Sequence, residues 1–242
     1  MNRIVGFGLA AAAMVAAVLI GAQLLKSPGG GVGTQPTDSP EPSVTPSTVE
    51  PSPSAEGYLL WSGGGRRLTV TTPAGWGAGV SGVLTKDDNG DPPDGVFIIG
   101  PFVADIFVYG DPCRSSTTKP ETPATTVDEV VAALMAQASR DASAPVDVMV
   151  GGHAGKSITL HVPVDIAFSA DEFTACDQGR FASWGVPGDD GARYEQSPGQ
   201  IDEVFIWDMD GMLAVLDASY YPGTSAADVE ELRAIVESAR FE

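Results

Sequence analysis

From Tyr58 onward, short apolar runs alternate with breaks rich in Gly, Pro and Asp. YLLWSGGGRRLTVTTPAGW predicts two β-prone runs around a glycine-rich turn, closed by Pro73 and Gly75. GVFII and ADIFVYG follow as strands, set off from the first pair by the polar loop KDDNGDPPDG. VDVMV and SITLHVPV are two more, joined around GGHAGK, and RFASW is a further candidate. The period changes at Thr126–Arg140, where Val127, Val130, Val131, Leu134 and Met135 share one helical face. Thr126 and Glu129 have capping-box spacing, and Pro145 bars continuation. A last helix spans Ala226–Arg240, with Ser225 or Thr224 as N-cap and Val229, Leu232, Ile235, Val236 and Ala239 facing inward. Strands adjacent in sequence and joined by tight turns favour an antiparallel sheet. With two helices packed on it, the class is α+β.

The segment before Tyr58 obeys neither period. Ile4–Leu25 runs 22 residues without a charge. As a helix it is about 33 Å long, enough to cross a hydrocarbon core of roughly 30 Å. The expectation is an uncleaved transmembrane anchor over 4–25, behind a cytoplasmic stub of residues 1–3. A cleaved signal peptide, giving a secreted protein, is the alternative. Arg3 before the span weakly favours a domain outside the membrane. Residues 26–57 form a linker: of the 31 residues Ser27–Gly57, 22 are Gly, Ser, Thr or Pro. Such a stretch buries too little apolar surface to offset its ordering entropy. The globular domain is then 58–242.

Charge and cysteines narrow the function. Beyond Lys26 the chain carries 11 basic and 32 acidic residues, a formal charge of −21. That field repels phosphate backbones, so nucleic acid is not expected as a partner. Cys113 and Cys176 are an even pair in a chain read as exported, which favours a disulfide over two free thiols. Two Cys and two separated His give no metal-ligand spacing, and neither metal nor cofactor is expected.

Four motifs suggest a catalytic, phosphate-binding or calcium site, and each has a plainer reading. FIWDMDGMLAVL, residues 205–216, looks like the Asp-x-Asp-Gly of a phosphatase, yet no Lys follows Gly211. Asp210-Gly211 between two β runs is instead a hairpin signal. It pairs Met209 with Met212, Trp207 with Ala214 and Phe205 with Leu216 on one face, and leaves Ile206 and Val215 on the other. VGGHAGKS, 150–157, puts Val150 where a P-loop needs Gly, and a β run follows where a helix is required. It reads as a second hairpin. DDNGD, 87–91, starts like a calcium loop but has Pro92 and Ile98 where Gly and Glu belong. His161 and Asp165 share parity and could lie on one strand face, but a dyad needs a third group. His153 is placed in a turn, solvated. The four Trp residues are expected in the core.

A family resemblance adds to this. RLTVTTPAGW resembles the opening of PsbP-like domains, and TSAADVEELRAIVESARFE resembles their closing helix and terminal Phe. VYGDPC, TVDEVVAAL, GGHAGKSITL, ACDQGRFASW and RYEQSPGQIDEVFIWDMDG resemble a group of actinobacterial membrane-anchored or secreted proteins of unknown function. The resemblance implies an α/β/α sandwich around an antiparallel sheet. It places the cysteines inside DPC and ACDQG, consistent with a bridge, and carries no catalytic residue. PsbP-like folds mostly serve as binding or accessory modules, though fold alone is a poor guide to function. The expectation is a non-enzymatic extracytoplasmic module that binds an envelope protein or a small ligand. The alternatives are a hydrolase using His161 with Asp165, and a carrier of apolar ligands.

Overall fold

The computed structural model describes residues 56–78, 82–86, 95–187 and 192–242. The expected span at 4–25, nearly all of the linker and the DDNGD loop lie outside them. Among the described residues no helix is long and apolar enough to cross a membrane.

The first strand, β1 (Glu56–Gly63), begins two residues before the expected domain start and pairs with β2 (Arg66–Thr72). Then come β3 (Gly77–Ala78), β4 (Val83–Lys86), β5 (Val96–Val103) and β6 (Phe107–Val108). Two helices follow, the single turn α1 (Ser115–Thr118) and α2 (Val127–Met135). Next are β7 (Asp141–Ala142), β8 (Val146–Val150), β9 (His153–His161), β10 (Ala182–Gly185) and β11 (Ala192–Tyr194). The last elements are β12 (Ile201–Asp208), β13 (Leu213–Tyr220), α3 (Ala226–Glu237) and β14 (Arg240–Phe241).

Among the described residues all strand pairings are antiparallel. The main sheet runs β3-β4-β5-β13-β12-β9-β7, with β8 also on β9. β1-β2-β14 and β11-β10-β6 form two smaller sheets. Side-chain alternation along the central hairpin splits the core. Trp207, Ala214 and Leu216 pack with Leu232, Ile235 and Val236 of α3 and with Leu68 and Val70 of β2. Val204, Ile206 and Val215 pack with Val130, Val131 and Leu134 of α2 and with Trp184 of β10. Helices therefore cover opposite faces of one antiparallel sheet, an α+β arrangement.

The hairpin between β12 and β13 has the expected register: Phe205 opposite Leu216, Ile206 opposite Val215, Trp207 opposite Ala214. Met209 and Met212 exchange backbone hydrogen bonds of 2.8 and 3.3 Å. Asp210 and Gly211 sit at φ 54° and 87°, the left-handed pair of a type I′ turn. The Asp208 carboxylate accepts a bond from Gly211 N at 2.7 Å, so it serves the turn. VGGHAGKS is likewise a hairpin, turning at Gly151-Gly152.

Three expectations need correction. α2 ends at Met135, not Arg140, because Gln137 and Arg140 are drawn into a buried polar network. Gln137 Nε2 donates to the Tyr109 and Ser183 carbonyls at 3.0 and 2.7 Å. Met135, assigned to the inner face, is 43% exposed where the helix stops. α3 ends at Glu237, and Arg240–Phe241 leaves the helix to pair with β2. His153 opens β9 rather than sitting free in a turn. It is half-buried, its ring edge-on to Phe241 at 4.9 Å. Of the tryptophans, Trp184 and Trp207 are fully buried, and Trp61 and Trp76 pack half-buried against the α3-side core.

Candidate functional site

β9 ends at His161, at the edge of an open groove of about 640 Å³. His161 lies opposite Asp141 of β7 and Ile201 of β12. The chain then turns through Pro163, Val164 and Asp165, which form a second wall. Ser139 stands at the rim, with φ 66°. A positive φ is uncommon for a residue with a Cβ and stores local strain.

The structure brings His161 and Asp165 to one groove, though not on one strand, since Asp165 lies in the turn after β9. Both are exposed, and neither makes a side-chain hydrogen bond or ion pair among the described residues. The groove thus offers Ser139, Asp141, His161 and Asp165 as separate polar contacts beside an apolar surface. Val164, 78% exposed, is the most solvent-accessible part of that surface.

Beneath the groove floor lies a set of charges that the sequence reading missed. Arg140, Arg193, Glu195, Asp202 and Asp217 are all buried between the central hairpin and the β10-β11 sheet. Arg140 Nη1 donates to Glu195 Oε1 at 2.9 Å, and Arg140 Nη2 donates to Asp202. Arg193 Nε donates to Asp217 Oδ2 at 2.5 Å, and Arg193 Nη2 lies 3.1 Å from Glu195 Oε2. Gln200 Nε2 donates to Glu195 Oε2 at 2.7 Å and to Asp202 Oδ1 at 2.5 Å. Oxygens of Glu195, Asp202 and Asp217 lie within 4.8 Å of one another, close enough for a metal triad. Two guanidinium groups already fill that position, so an added cation would meet two fixed positive charges.

With every group ionised the set carries one excess negative charge. Burial makes that excess costly and pushes Glu195 up to about 8 and Asp217 up to about 6, against the pull of Arg193. Burial opposes the charge on Asp202 too, but Arg140 and Arg193 outweigh it and hold that carboxyl below its ordinary range. The set therefore keeps one proton near neutrality. Hydrogen-bond geometry seats it at Asp217. Ser219 has one hydrogen for two carboxylate oxygens, Asp202 Oδ1 at 2.7 Å and Asp217 Oδ1 at 2.9 Å, and the shorter contact, to the carboxyl held ionised, takes it. Asp217 Oδ1 lies 2.9 Å from the same Ser219 oxygen, a contact that a protonated Asp217 satisfies by donating. Glu195, ringed by donors from Arg140, Ser183, Gln200 and Arg193, is the poorer seat.

A signal for part of this set was present. The 210–211 turn register puts Asp202 opposite Ser219 and Val204 opposite Asp217. Parity then aims Asp202 and Asp217 at the same buried face as Val204 and Val215. Nothing local marks Arg140, Arg193 or Glu195.

Cys113 and Cys176 form the disulfide, their Cα atoms 4.4 Å apart. They pack with Val162, Phe173 and Phe181 in a small core of their own.

No family model and no curated protein matches this chain. Among solved structures it is similar to cyanobacterial PsbP (CyanoP) from Synechocystis sp. PCC 6803, with 13% identity and a TM-score of 0.33. That match covers 84% of this chain and 99% of the other. It is also similar to LpqN, involved in cell envelope biogenesis of Mycobacterium tuberculosis, with 9% identity and a TM-score of 0.36. There the shares are 77% and 91%. At these TM-scores neither likeness carries an argument, and the α+β class stands on the pairings described above.

Proposed function

We propose that this protein is a non-enzymatic, extracytoplasmic binding module, tethered to a membrane through residues 4–25, that holds a small ligand in the His161 groove. The observation that carries the reading is the groove's lining. Polar groups converge on one concavity beside apolar surface, as in ligand sites, without the mutual hydrogen bonds of a catalytic set. The Cys113–Cys176 bridge supports an oxidising compartment. A ligand of mixed character suits the lining, with an apolar body against Val162, Val164 and Ile201 and hydrogen-bonding groups toward Asp141, His161 and Asp165.

The test is a thermal-melt screen of the full chain against envelope glycans, lipids and small metabolites. A ligand at about 100 times its Kd stabilises by about 2.7 kcal/mol, and Val164→Asp should abolish that shift. A shift that survives Val164→Asp, or no shift across the panel, would overturn the assignment of the groove. Co-purified lipid would move the reading to an apolar carrier.

A second reading, a hydrolase, draws on Ser139. It adds a strained hydroxyl-bearing residue to the groove that holds His161 and Asp165. Turnover of an ester or glycoside, lost in His161→Ala and in Ser139→Ala, would establish it over the first.

A further inference from the structure

Of the eleven Lys and Arg residues from Arg66 onward, seven are in ion pairs. Among the described residues Arg67, Lys119, Arg180 and Arg240 are not, and two of these four line the same pocket. The pocket has about 270 Å³ of space and shares no lining residue with the His161 groove. Lys119 Nζ sits 4.3 Å from the centre of the Phe107 ring, and the Arg180 guanidinium 4.7 Å from that of Tyr194. Among the described residues each cation is held against a ring rather than by a carboxylate, so its charge is restrained in place and not neutralised by them. Between them stand Ser115, Ser116, Tyr109 and Tyr194.

The two walls of this pocket are tied together. Ser115, Ser116 and Lys119 follow Cys113 in the chain, and Asp177 and Arg180 follow Cys176, so the disulfide clamps the walls at their roots. Arg114 Nη1 donates to the Ala175 carbonyl at 2.7 Å, and Ser116 N and Oγ both donate to Asp177. Asp177, the one acidic lining residue among those described, is already engaged by Ser116, and Arg114 approaches it at 3.6 Å. Burial and then the neighbouring Tyr194 push Tyr109 up, which keeps its hydroxyl a donor. Two cations and the hydroxyls of Ser115, Tyr109 and Tyr194 line a space whose described carboxylate is engaged by Ser116.

We propose that this pocket binds a compact oxyanion, a phosphate or carboxylate carried on a hydroxyl-bearing small molecule. Lys119 supplies a point charge, and Arg180 a planar fork that meets two oxygens at once. The serine and tyrosine hydroxyls suit the ligand's own hydroxyls. The domain's negative field does not forbid this, because charges beyond about 8 Å are largely screened at physiological salt. The Lys119 and Arg180 contacts act at shorter range.

Isothermal titration of the full chain with inorganic phosphate, glucose 6-phosphate and glucuronate tests the proposal. The expected result is saturable binding of at least one probe, weakened about tenfold or more in Lys119→Gln and in Arg180→Gln. That is the scale of one hydrogen bond to a charged group. Both residues are exposed, so each variant should melt as the parent does. Lys156→Gln removes a cation paired with Asp147 elsewhere and should leave binding unchanged. Preference for the phosphates or for glucuronate identifies the anion. No saturable binding of any probe, or equal weakening by Lys156→Gln, would overturn the site.

Discussion

The buried charge set predicts an unusual dependence of stability on pH. Asp217 is pushed from its ordinary 3.8 to about 6, so the folded state keeps a proton that the unfolded chain releases. A raised carboxyl contributes stability that is full below the unfolded value and is lost as pH rises through the folded one. Stability should therefore fall between about pH 4 and pH 6 through Asp217. At about 1.4 kcal/mol per pH unit, Asp217 accounts for roughly 3 kcal/mol. If the set sheds its last proton only near 8, as the upward push on Glu195 indicates, the loss approaches about 5 kcal/mol. Asp202 is held low, acts with the opposite sign, and does so below pH 4, outside this window. Urea unfolding of the full chain can follow this by tryptophan fluorescence, since Trp184 and Trp207 are fully buried and no Trp precedes Trp61. Two variants locate the proton. In Asp217→Asn the amide donates to Ser219 where the protonated carboxyl did, and its oxygen still accepts from Arg193. The pH slope should flatten, at a cost near 1 kcal/mol at low pH. In Glu195→Gln the amide hydrogens face the donors of Arg140 and Ser183 or of Gln200 and Arg193. That variant should lose roughly 3–5 kcal/mol, as when a buried pair is broken. Stability that is flat or rises from pH 4 to 8, or an Asp217→Asn protein as steep as the parent, would refute the reasoning.

Two further outcomes follow from the fold. Replacing both Cys113 and Cys176 by Ser should cost about 4 kcal/mol in the chain-entropy account of a loop closed over 63 positions, read by the shift in urea midpoint. Peptide mapping of the parent without reductant should recover the two cysteines cross-linked. Gly155→Ala should destabilise by at least 1–3 kcal/mol, because its Cβ would meet Ile206 O at 2.3 Å and Trp207 Cβ at 2.7 Å. A melting temperature unchanged by that substitution would mean that Trp207 does not lie over β9 as described.

Much of the framework was legible because it is local. Thr126 and Glu129 announce the start of α2, and the capping box forms in both directions. Asp210-Gly211 sets the central hairpin, since a two-residue turn with both φ positive fixes register and parity together. Ser225 caps α3, and Val229, Leu232, Ile235, Val236 and Ala239 are all buried at helical spacing. Failures came where distant groups outbid local preference. The helical period runs on past Met135, yet Gln137 and Arg140 leave the helix for partners on β10 and β12 and in the segments just after β6 and β11. The candidate sites are nonlocal in the same way. Arg180 and Lys119 lie 61 positions apart, and no spacing rule joins them; the Cys113–Cys176 bond and the packing around it bring their segments together. His161, Ser139 and Asp165 line one groove because the chain entering β7 and the turn leaving β9 lie at one edge of the sheet. The sequence by itself determined the longer strands, the starts of both long helices and the two glycine hairpins, because turn geometry and hydrophobic period act within a few residues; the short strands β3, β4, β7, β11 and β14 carry no such local signal. Only the tertiary structure decided which charges are buried together and which cations find a carboxylate among the described residues. Those depend on desolvation and on neighbours that the chain supplies from far away.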